Sequence, residues 1–190
     1  ILFFTNKGQV FRKKVFELPQ AGPTGRGKAA INLLPLRNDE TICSCLNVPN
    51  DAENKYIFLC TERGVAKKTP MLDCAKIRVT GLRVITLDEG DSVISVQLTE
   101  GNQELFFATR NGMGLRVNES NLRPMGRQAR GVRGVRLRDG DRVVSALALI
   151  GTGELLTVTE GGFGKKTPIE DYTLAKNRGN FVYNFFQFFI

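Results

Sequence analysis

A period of about fifty residues constrains this chain more than any other feature, because a repeat too short to bury its own apolar face must stack on its neighbours. Four segments open with an apolar run, pass through a polar turn and reach a glycine: ILFFTNKG (1–8), YIFLCTERG (56–64), LFFATRNG (105–112) and LLTVTEGG (155–162). Their glycines, Gly8, Gly64, Gly112 and Gly162, lie 56, 48 and 50 residues apart. Four residues beyond each stands a base: Arg12, Lys68, Arg116 and Lys166. A second glycine follows after 17 or 19 residues, at Gly27, Gly81, Gly131 and Gly179, with arginine before three of them (Arg26, Arg130, Arg178). Apolar pairs come next: Ile31/Leu33, Ile85/Leu87, Val135/Leu137 and Tyr183/Phe185. An acidic turn (NDE 38–40, DEGD 88–91, RDGD 138–141) then leads into a further apolar run in the first three units.

Each unit therefore reads strand, turn, strand, long basic loop, strand, acidic turn, strand. Short β-branched and aromatic runs bounded by Gly, Asn and Asp are strand signals, and AAINLLPL (29–36) reads the same way. No window sustains a 3.6-residue period, so helices are expected to be scarce and the fold all-β. Four strands per fifty residues is the arithmetic of a propeller blade; a two-sheet sandwich leaves the repeat unexplained. No linker interrupts the chain. The expectation is one domain, 1–190, with blades at about 1–55, 56–103, 104–153 and an incomplete one at 154–190.

The charge is uneven. The net charge of +8 and pI of about 9.6 point to a polyanionic partner. Between Arg110 and Arg138 eight arginines face one acid, Glu119, so this stretch alone carries +7. A surface built only for solubility intersperses both signs. Here Arg110, Arg116, Arg123, Arg127, Arg130 and Arg133 alternate with small or flexible residues, a pattern that lets guanidinium groups reach phosphates. The other units offer Arg26 and Lys28, Arg78 and Arg83, and Lys176 and Arg178 in the corresponding loop. Lys13, Lys67 and Lys165 lie beside the basic column. Basic loops on successive blades would follow one rim and neutralise a run of phosphates on double-stranded DNA, reading backbone rather than sequence. The rival expectation is a propeller-type scaffold whose basic rim meets an acidic protein.

Catalysis has little to build on. There is no histidine, the commonest general base, and the acids sit mainly in turns. The tyrosines (56, 172, 183) fall in or beside predicted strands. Gly22-Pro-Thr-Gly-Arg-Gly27-Lys28 fits G-x-x-x-x-G-K, but Ala29 replaces the magnesium-binding hydroxyl and a strand, not a helix, is predicted next. The four cysteines (43, 45, 60, 74) lack the paired spacing of a zinc site and are expected to be buried, reduced thiols of a cytoplasmic protein. No catalytic residue, metal site or cofactor is expected. The apolar ending FVYNFFQFFI (181–190) is too short to span a bilayer as a helix.

RPMGRQARGVRGVRLRDGDRVVS (123–145), with FELPQAG…INLLPL (16–36) and GGFGKKTPIEDY (161–172), closely resembles the C-terminal domain of the DNA gyrase A subunit over about residues 1–180. The paralogous C-terminal domain in topoisomerase IV is the close second. The resemblance implies a β-pinwheel, a propeller-like disc whose blades exchange strands, with DNA bent around a basic edge. It also implies that the wrapped DNA presents a distal segment for strand passage and so favours negative supercoiling. The cleavage tyrosine would lie in the N-terminal part of the gyrase A subunit, with ATP hydrolysis in the B subunit, both partners of this domain at the bacterial nucleoid. The family's Gln-Arg-Arg-Gly-Gly-Lys-Gly box is missing, which implies a beginning at the second blade, and residues 181–190 depart from the family's pattern.

Overall fold

Each repeat begins with a hairpin whose turn is written Thr-x-x-Gly. The carbonyls of Thr5, Thr61, Thr109 and Thr159 accept from the amides of Gly8, Gly64, Gly112 and Gly162 at 3.0–3.1 Å. The same threonines use Oγ1 to accept from the amide four residues on: Gln9, Val65, Met113 and Phe163, at 3.1–3.3 Å. The glycines close the turn at φ between +72° and +83°, where a Cβ would be strained.

The computed structural model describes residues 1–49, 51–179 and 183–184. The first repeat supplies β1 (Leu2–Thr5), β2 (Gln9–Arg12) and β3 (Ile42–Leu46). The second supplies β4 (Tyr56–Thr61), β5 (Val65–Pro70), β6 (Leu82–Arg83) and β7 (Val93–Thr99). The third supplies β8 (Glu104–Thr109), β9 (Met113–Asn118), β10 (Val132–Arg133) and β11 (Val143–Leu149). From the fourth come β12 (Glu154–Val158), β13 (Gly164–Pro168), β14 (Leu174–Ala175) and β15 (Tyr183–Asn184). The described residues contain 3-10 turns but no α-helix, and no helix long and apolar enough to cross a membrane.

Sheet membership does not follow repeat membership. The sheets run β3-β1-β2-β6, β7-β4-β5-β10 and β11-β8-β9-β14, with β15 also pairing β9, and a two-stranded β12-β13. β6 of the second repeat, β10 of the third, and β14 and β15 of the fourth thus cross to the preceding blade. β6 pairs antiparallel with β2 (Val10 opposite Leu82) and β10 with β5 (Ala66 opposite Val132). Such strand exchange is the pinwheel form of a propeller.

The core lies between blades. β4 turns Ile57 and Leu59 toward the first blade, where they join Leu2, Phe4, Val10, Val84 and Ile85; it turns Phe58 and Cys60 toward the third, where they meet Leu105, Phe107, Met113 and Leu115. Phe106, alternating with these, packs with Leu149, Leu155 and Ile169 at the fourth. A sheet covered on both faces needs apolar residues on both, so YIFLC and LFFA are continuous runs rather than alternating ones. The acidic turns serve as fasteners. Asp91 accepts from the Arg63 amide and Asp141 from the Asn111 amide, at 3.1 Å each, which holds each turn to its own hairpin tip.

Three expectations are corrected. AAINLLPL holds a 3-10 turn at Ala30–Asn32 instead of a strand, because no preceding hairpin among the described residues offers it an edge. Gly27 does not share the positive φ of Gly81, Gly131 and Gly179, for the same reason. The cysteines are all free, but only Cys60 and Cys74 are buried; β3 is an edge strand, leaving Cys43 partly covered and Cys45 exposed. The apolar ending, apart from the backbone pairing of Tyr183–Asn184, lies outside the described residues.

Candidate nucleic-acid interface

The basic column four residues past each turn glycine is divided: Lys68 and Arg116 are drawn in between blades, whereas Arg12 and Lys166 are exposed. Lys68 is 4 % exposed and donates from Nζ to the carbonyls of Gly101 (3.2 Å) and Glu119 (3.3 Å). Arg116 pairs with Glu104 at 2.7 Å and donates to the carbonyls of Ile169 (2.9 Å) and Tyr172 (3.0 Å). Arg12 reaches the carbonyl of Ala75 at 3.3 Å. In all three an acceptor lies in or beside the 3-10 turn that follows the next repeat's hairpin, Met71–Cys74, Glu119–Asn121 or Ile169–Asp171; Gly101, the second acceptor of Lys68, lies between β7 and β8. These bases add a second donor to the Glu119 and Ile169 carbonyls, which already accept from the Leu122 and Tyr172 amides, and tie one blade to the next. Lys166, in the fourth repeat, is solvent-exposed and paired with Glu154 at 2.6 Å, which raises its pKa.

Lys67 is buried completely. It donates to the carbonyls of Val84 (2.5 Å) and Arg127 (2.7 Å), and desolvation lowers its pKa to about 8. Against the expectation that Lys67, Lys68 and Arg116 face phosphate, the structure buries the two lysines and leaves Arg116 partly covered, since each is held where main-chain carbonyls converge between blades.

The remaining bases are accessible. Arg26 and Lys28 stand on the exposed loop of the first repeat, with Lys13 beside its 3-10 turn and 3.8 Å from Glu17. Arg78, Arg110, Arg123, Arg127, Arg130 and Arg133 are exposed. Arg130 is drawn to Asp88 across the blade boundary, and half-buried Arg178 donates to the carbonyls of Asn121 and Arg133. Lys165 is partly covered.

Two basic hollows gather side chains from different repeats. The larger, an open cleft of about 1610 Å³, is lined by Arg12, Lys76, Arg78, Arg83 and Arg127, with Asp73 the single acid. Residues of the first three repeats meet there. The smaller, about 630 Å³, holds Arg63, Arg133, Arg136 and Arg138 against Asp139. The segment from Arg127 to Arg138 links them as it crosses from the third blade to the second. Lys76 and Arg63 lie outside the sequence expectations: Lys76 shares a loop with Arg78, and Arg63 sits on a hairpin tip where the first repeat has Lys7 but the third and fourth have Asn111 and Gly161.

The rim loop of the third repeat is stitched down by its main chain. The carbonyls of Arg127, Gln128 and Ala129 accept from Lys67 Nζ, Thr86 Oγ1 (2.8 Å) and the Thr86 amide (3.4 Å), and the Met125 amide donates to the Lys68 carbonyl at 2.8 Å. A loop fixed by its backbone presents its arginines to a ligand without a further cost of ordering the main chain.

Strand-exchanged blades carrying a basic edge define a β-propeller of the pinwheel type with an anion-attracting rim. The DNA gyrase C-terminal domain family, a beta-propeller, matches residues 1–49, 55–100, 103–149 and 153–184, and the chain belongs to that family. It is 44% identical over 131 residues to the DNA gyrase A subunit of Halalkalibacterium halodurans, covering 69% of this chain and 16% of that protein. Against the DNA gyrase A subunit of Streptococcus pyogenes serotype M3 it is 43% identical over 130 residues, with 68% and 16% covered. The chain thus spans about a sixth of the length of these relatives. Among solved structures, the C-terminal domain of DNA topoisomerase IV aligns with a TM-score of 0.87 at 33% identity, over 96% of this chain and 57% of that one. A DNA gyrase A C-terminal domain aligns at 0.80 and 23% identity, over 96% and 58%.

Proposed function

We propose that this domain is a non-catalytic DNA-wrapping part of a bacterial type II topoisomerase, holding duplex DNA by its phosphates. The observation that carries this reading is the cleft in which Arg12, Lys76, Arg78, Arg83 and Arg127 converge against one acid and continue into the arginine-lined hollow. Contacts of this kind release counterions and carry no base information, so binding is strong at low salt and indifferent to sequence. The contact set is Arg12, Lys13, Arg26, Lys28, Arg78, Arg110, Arg123, Arg127, Arg130, Arg133, Lys165, Lys166 and Arg178, joined by Arg63, Lys76, Arg83, Arg136 and Arg138. Residues 1–190 belong to one pinwheel domain, divided into blades near residues 55, 103 and 153, the last of them incomplete. Basic loops on successive blades bend the duplex. Bending a 20–30 bp site by 40–90° costs on the order of 1–6 kcal/mol, which several phosphate contacts offset. The bent duplex returns a distal segment for strand passage toward negative supercoiling. Cleavage belongs to the N-terminal part of the gyrase A subunit, whereas ATP hydrolysis belongs to the B subunit; both are partners of this domain at the nucleoid in the cytoplasm.

The test is titration of unrelated random-sequence duplexes at several salt concentrations, with the wild-type chain and an Arg127, Arg130 and Arg133 to Ala variant. The variant should bind every duplex more weakly by a common factor, with a salt slope shallower by about 0.9 for each phosphate no longer neutralised. Equal binding by both proteins would sink the rim assignment. Failure of the wild-type chain to bind any duplex would favour the acidic-protein scaffold.

A further inference from the structure

We propose that Lys67 is a positioning residue for DNA binding: its buried ammonium sets where the third repeat's rim loop lies and so aims the Arg127 side chain into the cleft. The proposal rests on the DNA-binding reading and deepens it. The same place in the first and third repeats, three residues past the turn glycine, holds Phe11 and Leu115, exposed by only 3% and 1%. The blade architecture therefore accepts an apolar side chain here. An apolar residue also avoids the cost of taking an ammonium out of water. What the lysine adds is two directed hydrogen bonds to carbonyls of separate segments. Val84 follows β6, the strand that the second repeat lends to the first blade; Arg127 begins the corresponding approach of the third repeat. One ammonium thereby joins two successive rim segments, directly beneath the cleft that Arg83 and Arg127 line. The titratable groups around it are Asp73 and the Cys74 thiol on the neighbouring 3-10 turn, with Arg127 on the loop side, and its hydrogen bonds go to main chain. Thr86 holds the next two carbonyls, so Lys67 fixes the start of the loop, where Arg127 branches off.

A double-mutant cycle separates positioning from general support of the fold. Wild type, Lys67→Leu, Arg127→Ala and the double variant are titrated with one random-sequence duplex, and amide hydrogen exchange is followed across residues 126–130 of the free proteins. Lys67→Leu should weaken binding about fivefold, the double variant should bind no worse than Arg127→Ala alone, and loop exchange should speed up in Lys67→Leu. Losses that multiply in the double variant, unchanged binding by Lys67→Leu, or unchanged loop exchange would each overturn the proposal. Lys67→Met is the second replacement. Collapse of both variants would overturn it too, by making the lysine a condition of the fold despite Phe11 and Leu115. If wild type does not bind duplex, the DNA reading fails, and hydrogen exchange still decides whether Lys67 orders the loop.

Discussion

Arg116 on β9 and Ile169 in the next repeat are joined across a blade boundary, the arginine Nη1 donating 2.9 Å to the isoleucine carbonyl. The same guanidinium donates to the Tyr172 carbonyl and pairs with Glu104, so its loss takes the donor from the Tyr172 carbonyl and from a carboxylate, while the Ile169 carbonyl keeps the Tyr172 amide. Arg116→Ala should destabilise the chain by about 2 kcal/mol, the scale of a hydrogen bond to a charged group. Chemical denaturation reads the loss, and limited proteolysis should locate it in residues 154–179. Exposed Arg123→Ala is the control, expected within about 0.5 kcal/mol of wild type. Equal stability of all three proteins would show that the tie contributes nothing.

Gly81 and Gly131 mark the entry of each exchanged strand at φ +85° and +95°. A Cβ at Gly81 would stand 2.6 Å from Phe11 Cε1, and one at Gly131 would stand 2.9 Å from the Ala66 carbonyl oxygen. Gly131→Val should destabilise more than Gly81→Val, since main chain gives way less readily than a ring. Thermal unfolding of both ranks them, and wild-type stability in either would contradict this geometry of strand entry.

The four thiols should react unequally. Burial pushes the pKa of Cys43 and Cys74 up to about 11 and that of Cys60 further still, whereas Cys45 is exposed. Because the thiolate is the reacting species, one equivalent of a thiol reagent should add rapidly at neutral pH and the rest only on unfolding. Peptide mapping should find the label on Cys45; a different first site would contradict the edge position of β3.

Lys67 also predicts a pH effect on stability. Its folded pKa of about 8 lies below the usual 10.5, so between these values the unfolded chain holds a proton that the folded one has released. Stability from this group therefore rises with pH across that window. Cys43 and Cys74 act oppositely, their raised pKa values costing stability as pH climbs from 9.0 toward 11. Comparison with Lys67→Leu cancels Cys43, while Cys74, whose pKa Lys67 lowers, moves the difference in the same direction. The stability difference should shift in favour of wild type as pH rises from the folded pKa of about 8 toward 10.5; a constant difference would mean the ammonium is not desolvated.

The hairpins, the acidic turns and the absence of long helices were legible because each has a local cause. Strand exchange was not legible from pattern: Val84 and Ile85 are apolar whichever blade their strand joins, and only the family resemblance supplied it. The basic column misled for a physical reason. Arg12, Lys68 and Arg116 recur because the same contact between blades recurs, and repetition alone does not distinguish a shared ligand from a shared joint. Lys67 was taken for a surface base because its column holds no consistent residue type. The Thr-x-x-Gly turn stands in all four repeats, but a threonine at a strand end reads as a strand former, so its bond to the amide four residues on is visible only in the structure.

Strand β6 completes the first sheet although it belongs covalently to the second repeat. The unit that is copied in sequence is therefore out of phase with the unit that folds. One repeat lifted out alone would carry a strand with nothing to pair against and a hairpin with an open edge. A repeat inserted between two others meets no such difficulty, since it lends a strand backward and receives one from the next. A chain built this way grows by internal duplication without passing through an unpaired intermediate, and a nick near residue 51, between β3 and β4, would leave two pieces still clasped through a shared sheet.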